Sequence, residues 1–328
     1  MKVLFVSDEF YARNESYNWT GYANRPLVQS MPCEVIVCCT AGEVRAHASS
    51  ADVVLLEGFR AVSFRDELLF LNDLPLYIAA FYTDVWRGPH WCDSAIRIDL
   101  NICVYRDVAE KSHPKFRDSS VFFWAPPRVD VFDYDLPRDI DVIFWGSSGR
   151  EYPFRSFVQY ALINLVVGSP RRSGREFVKV DSHLTLQKIA LRGKMYTWGV
   201  LLNKRLSSDY HGPALFELLH RCKLCPTGPP VVNDSNVAVA RYIENAACGV
   251  VSVTSDLEDK EGLGLRHSEN IWFTDAEHFI SDMVYLLEHD DVVSLMSQKA
   301  KDLVRSRHTV AVRAQELYNR LCDATGKE

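Results

Sequence analysis

Short apolar runs recur through the first 125 positions, separated by polar or amphipathic stretches. KVLFVS (2–7), CEVIVCCT (33–40), ADVVLLEG (51–58), PLYIAAFYTD (75–84), NICVYRD (101–107) and SSVFFWAPP (119–127) are near-continuous rather than alternating. That is the pattern of strands buried on both faces, as in a parallel sheet covered by helices. YANRPLVQSM (22–31) and RDELLFLNDL (65–74) read as intervening helices. The segment VDVFDYDLPR (129–138), with its acids and proline, reads as a connector.

After the connector the pattern restarts. DVIFWG (141–146) is a strand, and PFRSFVQYALINLVV (153–167) carries apolar residues at Phe154, Phe157, Val158, Ala161, Leu162, Leu165 and Val166. This i, i+3, i+4, i+7 stripe is that of an amphipathic helix, with Pro153 suited to its first turn. PALFELLHR (213–221), KLCPT (223–227), ARYIENAA (240–247), VVSVT (250–254) and NIWFT (270–274) continue the alternation, and three helical stretches fill 276–322. The expected architecture is α/β, with two facing doubly wound Rossmann-like domains. The boundaries expected are 1–137 and 138–328.

Composition narrows the classes. A chain of 328 residues accommodates two domains. A net charge of −6 argues against a surface that grips nucleic acid throughout, though not against a local basic patch. LLFLNDLPLYIAAFY is cut by Asn72, Asp73 and Pro75, so no apolar span reaches membrane length. MKVLFVSDEF turns acidic too early for a secretory leader and reads as a first strand. Nine cysteines, an odd number in apolar contexts, fit reduced thiols and a cytoplasmic location. Cys222 and Cys225 form a C-x-x-C, but no second pair or histidine spacing completes a zinc site.

Several clusters could carry chemistry. FWGSSGREYPFR (144–155) runs from a strand through Gly146-Ser147-Ser148-Gly149 into a helix start. Backbone N–H groups there, with Arg150 and Arg155, would favour an anion, although the spacing matches neither a dinucleotide fingerprint nor a P-loop. Arg241 and Glu244 lie three apart on one helix face, which by spacing alone is equally a weak surface ion pair. Asn236 or Ser235 could cap that helix. Asp84 and His90 follow an apolar strand and could take a proton from a hydroxyl. Asp8 and Glu9, after the first strand, are a second candidate pair. Aromatic residues crowd the N-terminal loops, Trp19, Trp86 and Trp91 among them. They could stack on a sugar or base, or cover core edges. Asp133-x-Asp135 and Asp139-x-Asp141 are D-x-D pairs, but their proline-containing connector reads as solvated, and no metal is expected. Segment 168–205 sets nine Lys/Arg against Glu176 and Asp181, either a solvated face or a nucleic-acid contact.

RYIENAACGVVSVTSD, followed by ENIWFTDAEHFISDMVYLLEHDD, resembles the C-terminal half of GT-B glycosyltransferases. The likeness is to the group-1 type with spore-maturation-protein-like (CgeB-type) members, whose helix reads R-x-F-E-A-x-A-C-G before an apolar strand. DIDVIFWGSSGREYPFR is similar to that family's D-V-x-F-x-G-S followed by Y-x-x-R, and TGYANRPLVQSM only loosely to its first helix. The resemblance implies transfer of sugar from a nucleoside-diphosphate sugar to a hydroxyl acceptor. With the D-x-D pairs read as solvated acids, the transfer is expected to be metal-independent, with no cofactor required. That the last helix, around 310–323, crosses back to brace the first domain is expected from the likeness to similar folds, not from the hydrophobic pattern. It places Glu244 on the ribose, Arg241 and Tyr242 beside it, Gly146, Ser147 and Arg155 near the diphosphate, and Gly21, with Trp19, on the acceptor side. The commoner group-1 pattern carries a further glutamate about eight residues before the ribose glutamate, where this chain has Asn236. The acceptor is unidentified, a modified DNA base being one reading through the basic segment. A nucleotide-sugar epimerase or hydrolase on the same scaffold, or an inactive binding module, are the alternatives.

Overall fold

The structure, a computed structural model, describes residues 1–7, 24–57, 64–83, 85–86, 91–124, 134, 136–145, 150–168 and 213–327. Contacts divide the chain into two compact units: residues 1–128 with 306–328, and residues 129–305.

In the first unit the apolar runs form β1 (Lys2–Val6), β2 (Glu34–Cys38), β3 (Val53–Glu57), β4 (Tyr77–Tyr82), β5 (Leu100–Cys103) and β6 (Ser120–Phe122). They make one parallel sheet in the order β2-β1-β3-β4-β5-β6. β3 and β5 are buried along their whole length, which is why they carry no polar alternation. Helix α1 is Asn24–Gln29 and α2 is Ala41–Ala48. α2 opens on a capping box: the Thr40 hydroxyl accepts from the Glu43 N–H, and the Glu43 carboxylate accepts from the Thr40 N–H. The helix expected over 65–74 is a 3-10 helix, Arg65–Asp73, instead. Its buried residues are Leu68 and Leu71, three apart, a spacing that aligns on one face at three residues per turn. Asn72 then ties the segment to the Ala95 carbonyl and the Arg97 N–H. Two short helices, α3 (Arg106–Ser112) and α4 (Lys115–Ser119), lead into β6.

In the second unit, β7 (Ile140–Val142) is followed by α5 (Pro153–Gly168), α6 (Pro213–His220) and β8 (Cys222–Pro226). A two-residue pair, β9 (Val231–Val232) and β10 (Ser235–Asn236), precedes α7 (Ala240–Ala247). β11 (Val251–Thr254), α8 (Lys260–Leu263), β12 (Trp272–Phe273), α9 (Phe279–Glu288) and α10 (Asp290–Arg307) follow. The sheet is parallel, in the order β12-β11-β8-β7. Of the α5 stripe, Val158 and Leu162 are buried against Leu224, Val251, Val253, Phe279 and Met283, and Phe154, Phe157 and Ala161 flank them, while the side chains of Leu165 and Val166 lie outside the described residues. α11 (Val310–Thr325) closes the chain and belongs to the first unit. No described helix is long and apolar enough to cross a membrane.

The helix at 240–247 is not capped by Ser235 or Asn236. Those residues are consumed by β10, and Asn236 donates to the Asp256 carbonyl. The N-cap is Val239, which has no side-chain acceptor to offer. At the other end Gly249 adopts φ 72°, a left-handed conformation suited to glycine.

Candidate functional site

In a parallel α/β sheet, ligands collect beyond the carboxyl ends of the strands. In the second unit those ends are Trp145 beyond β7, Thr227 and Gly228 beyond β8, and Thr254 closing β11. The first turns of α5 and α7 bring Arg155 and Arg241 to the same edge.

Arg155 is 1% exposed. Its Nη2 donates to the Gly228 carbonyl at 2.5 Å, and its guanidinium lies 4.1 Å from the Tyr152 ring centroid. Gly228 is required by this approach, since a Cβ there would lie 2.6 Å from the Arg155 backbone nitrogen. Burial, and after it the positive charge of Arg241, pushes the Arg155 guanidinium down to about 9. It remains cationic at neutral pH, so two cations sit together in a desolvated place, where an anion is favoured.

Arg241 is half-buried and does not pair with Glu244. It turns to the Thr227 hydroxyl at 3.3 Å and packs over the Trp145 ring, 4.4 Å from its centroid. Its buried Nε has no hydrogen-bond partner among the described residues. Glu244, one turn further into α7, is 1% exposed, so the surface ion pair that spacing alone allowed is not what forms. Tyr242 is 2% exposed and shares a 3.0 Å hydrogen bond with the Thr254 hydroxyl. Burial raises its phenol to about 12, so it stands as a neutral strut between α7 and β11. Asn245 accepts from the Trp145 indole N–H at 3.0 Å and donates to Ser252 at 2.9 Å, joining β7's end to α7 and β11. Trp145, Tyr152, Thr227 and Asn245 were not singled out from the sequence. Tyr152 lay within the quoted Y-x-x-R, but nothing in the linear spacing showed which rings the arginines would lie on.

Gly146, Ser147, Asp84, His90, Gly21 and Trp19 lie outside the described residues, as do Asp8, Glu9 and the basic segment beyond 168. Of the aromatic candidates, Trp91 is fully buried and donates its indole N–H to the Glu57 carbonyl at 2.7 Å, so it covers core. Trp86 packs on Tyr105 at 5.2 Å. Arg150 is exposed. Asp139 pairs with Arg221, and Asp141 with Lys223.

All nine cysteines are free. Burial pushes Cys222 up to about 12 and raises Cys225, so the C-x-x-C is a pair of inert strand thiols rather than a thiolate site. Among the described residues one group of metal-ligating side chains converges, Cys92, Asp93 and His113, with ligand atoms within 4.8 Å of one another. His113 Nε2 lies 2.7 Å from Asp93, and Nδ1 accepts from the Lys115 N–H at 3.1 Å. Both ring nitrogens are therefore engaged, and the cluster acts as a local tie before α4.

A family model described as glycosyl transferase-like matches residues 171–319, just under half of the chain. No curated protein sequence matches it. Three solved structures are similar across nearly all of it. A glycosyltransferase from Rickettsia africae ESF-5 is 8% identical, with a TM-score of 0.61, covering 100% of this chain and 99% of that one. Anabaena Alr3699/HepE in complex with UDP is 12% identical, with a TM-score of 0.57, covering 98% and 100%. Sucrose-phosphate synthase from Thermosynechococcus elongatus is 10% identical, with a TM-score of 0.54, covering 99% and 100%. At such identities the likeness is one of fold: the chain has the α/β architecture of two Rossmann-like domains that GT-B glycosyltransferases share, and over 171–319 its sequence is similar to the glycosyl transferase-like family.

Proposed function

We propose that the protein is a glycosyltransferase that moves a sugar from a nucleoside-diphosphate sugar to a hydroxyl acceptor. The observation that carries this reading is the pair of neighbouring guanidiniums, buried Arg155 and half-buried Arg241, at the carboxyl edge of the second sheet. The family match over 171–319 and the UDP bound to the HepE structure support it. In the reaction the acceptor oxygen forms a bond to the anomeric carbon as the bond from that carbon to the diphosphate oxygen breaks. The electron pair leaves with the diphosphate, whose growing charge the two arginines stabilise. Glu244 accepts hydrogen bonds from the ribose, Tyr242 braces α7 beneath it, and Gly146 and Ser147 offer backbone N–H groups to phosphate. Asp84 or His90 takes the acceptor proton. Gly21 and Trp19 contribute to the acceptor side, and the basic segment 168–205 suits an anionic acceptor such as DNA carrying a hydroxylated base. The free cysteines accord with a reducing, cytoplasmic setting.

Because arginines do the work a cation would otherwise do, turnover is expected to survive EDTA. Loss of activity in chelator, restored by manganese, would overturn that part. The test of the whole reading is a thermal-shift and calorimetric panel of nucleoside diphosphates and nucleotide sugars. Product analysis with the best donor follows, with duplex DNA bearing hydroxymethylated bases among the acceptors. Donor consumed to free sugar or an epimer, with no glycosylated product, would favour the hydrolase or epimerase reading.

A further inference from the structure

A carboxylate partner holds an arginine and also offsets its charge. Arg241 is held otherwise. Among the described residues its contacts are the flat face of Trp145, 4.4 Å from the ring centroid, and the Thr227 hydroxyl, and its buried Nε is unbonded. An indole face steadies a guanidinium through its quadrupole while adding no negative charge. The same tryptophan is fixed at its other end. Its indole N–H donates to Asn245, which in turn donates to the buried Ser252 of β11. One side chain thus couples the end of β7, helix α7 and β11 while leaving the full charge of Arg241 available.

We propose that Trp145 is a positioning residue, mounting Arg241 beside Arg155 so that the two guanidiniums together engage a diphosphate. This rests on the donor-binding reading above. A monophosphate can be held by one of the two cations and depends less on the mount, whereas a diphosphate uses both. The ring face, not the indole N–H, is what Arg241 needs. Replacement by phenylalanine therefore keeps the mount, and replacement by leucine removes it.

The experiment is calorimetric titration of the full chain with UDP and with UMP, for the unsubstituted protein, Trp145→Leu and Trp145→Phe. For UDP the expected weakening is about tenfold in the leucine variant and within about threefold in the phenylalanine variant. For UMP both should stay within about threefold. With a transferable donor, KM should rise more than kcat falls. Equal UDP affinity in the leucine variant, or equal weakening toward UMP and UDP, would overturn the role of Trp145. Failure of the unsubstituted protein to bind any nucleoside diphosphate would instead overturn the donor-binding reading. Should the leucine variant not fold, the fluorescence difference between the unsubstituted protein and Trp145→Phe isolates this indole. Its emission must change as UDP is added, and an unchanged difference would also overturn the proposal.

Discussion

At the scale of single residues, two positions show how neighbours fix what a side chain can do. Glu244 is buried within the second unit, whereas Arg241, three positions earlier, keeps partial exposure and turns away from it. If Glu244 holds the ribose, Glu244→Ala should weaken nucleoside-diphosphate binding by about 1–3 kcal/mol, the scale of a charge-assisted hydrogen bond. Unchanged calorimetric affinity in a folded variant would remove it from the site. Gly249 makes a different demand. Its φ of 72° is already costly for other residues, and a Cβ would fall 2.2 Å from Arg138 Nη2 and 2.6 Å from the Lys301 Cε. Arg138 cannot easily retreat, because its guanidinium is bonded to the carbonyls of Cys222, Cys248 and Gly249. Gly249→Ala should therefore cost about 1–3 kcal/mol in a denaturant titration. The R-x-x-E and C-G pairs were visible in the sequence. The ring beneath Arg241 and the arginine behind Gly249 were not, since each comes from about a hundred residues away in the chain.

At the scale of elements, strands and long helices followed their hydrophobic patterns because burial on one or both faces writes directly into residue order. α5 is the clear case. Its stripe meets Phe279 of α9, with Phe154 and Phe157 at 6.3 and 5.9 Å from that ring. Phe279 is fully buried at this junction, so Phe279→Ala should destabilise the protein by about 3–5 kcal/mol. Thermal or chemical denaturation reads that loss, and a cost under about 1 kcal/mol would mean the core relaxes around the cavity. Short elements were harder to read. α2 carries a signal, the T-A-G-E capping box of Thr40 and Glu43, that a search for caps would have found. β9 and β10 carry none, because two-residue strands have no period, and their pairing took Ser235 and Asn236 away from the helix they were expected to cap.

At the scale of the whole molecule, the chain passes between its two units twice, near residues 128 and 305. α11 therefore returns to complete the first unit, burying Ala314, Leu317 and Leu321, with the guanidinium of Arg313 5.7 Å from the Phe123 ring centroid. Lys327 pairs with Asp52, and Arg320 adds a second guanidinium near Phe123. Ending the chain after Arg305 should consequently destabilise the first unit although its own strands are intact. Limited proteolysis should cut within residues 1–128 faster than in the full chain, and equal rates would show that α11 adds little to that unit. The sequence by itself determined the α/β class, the succession of buried strands, the amphipathic face of α5 and the R-x-x-E helix, because burial periodicity and local caps are properties of neighbouring residues. Only the tertiary structure decided that Arg155 and Arg241 lie together and that the Trp145 ring carries the second of them. Those pairings join residues far apart in the chain, and the side chain that wins a given contact depends on which strand ends and helix turns the packed sheet brings to the same edge.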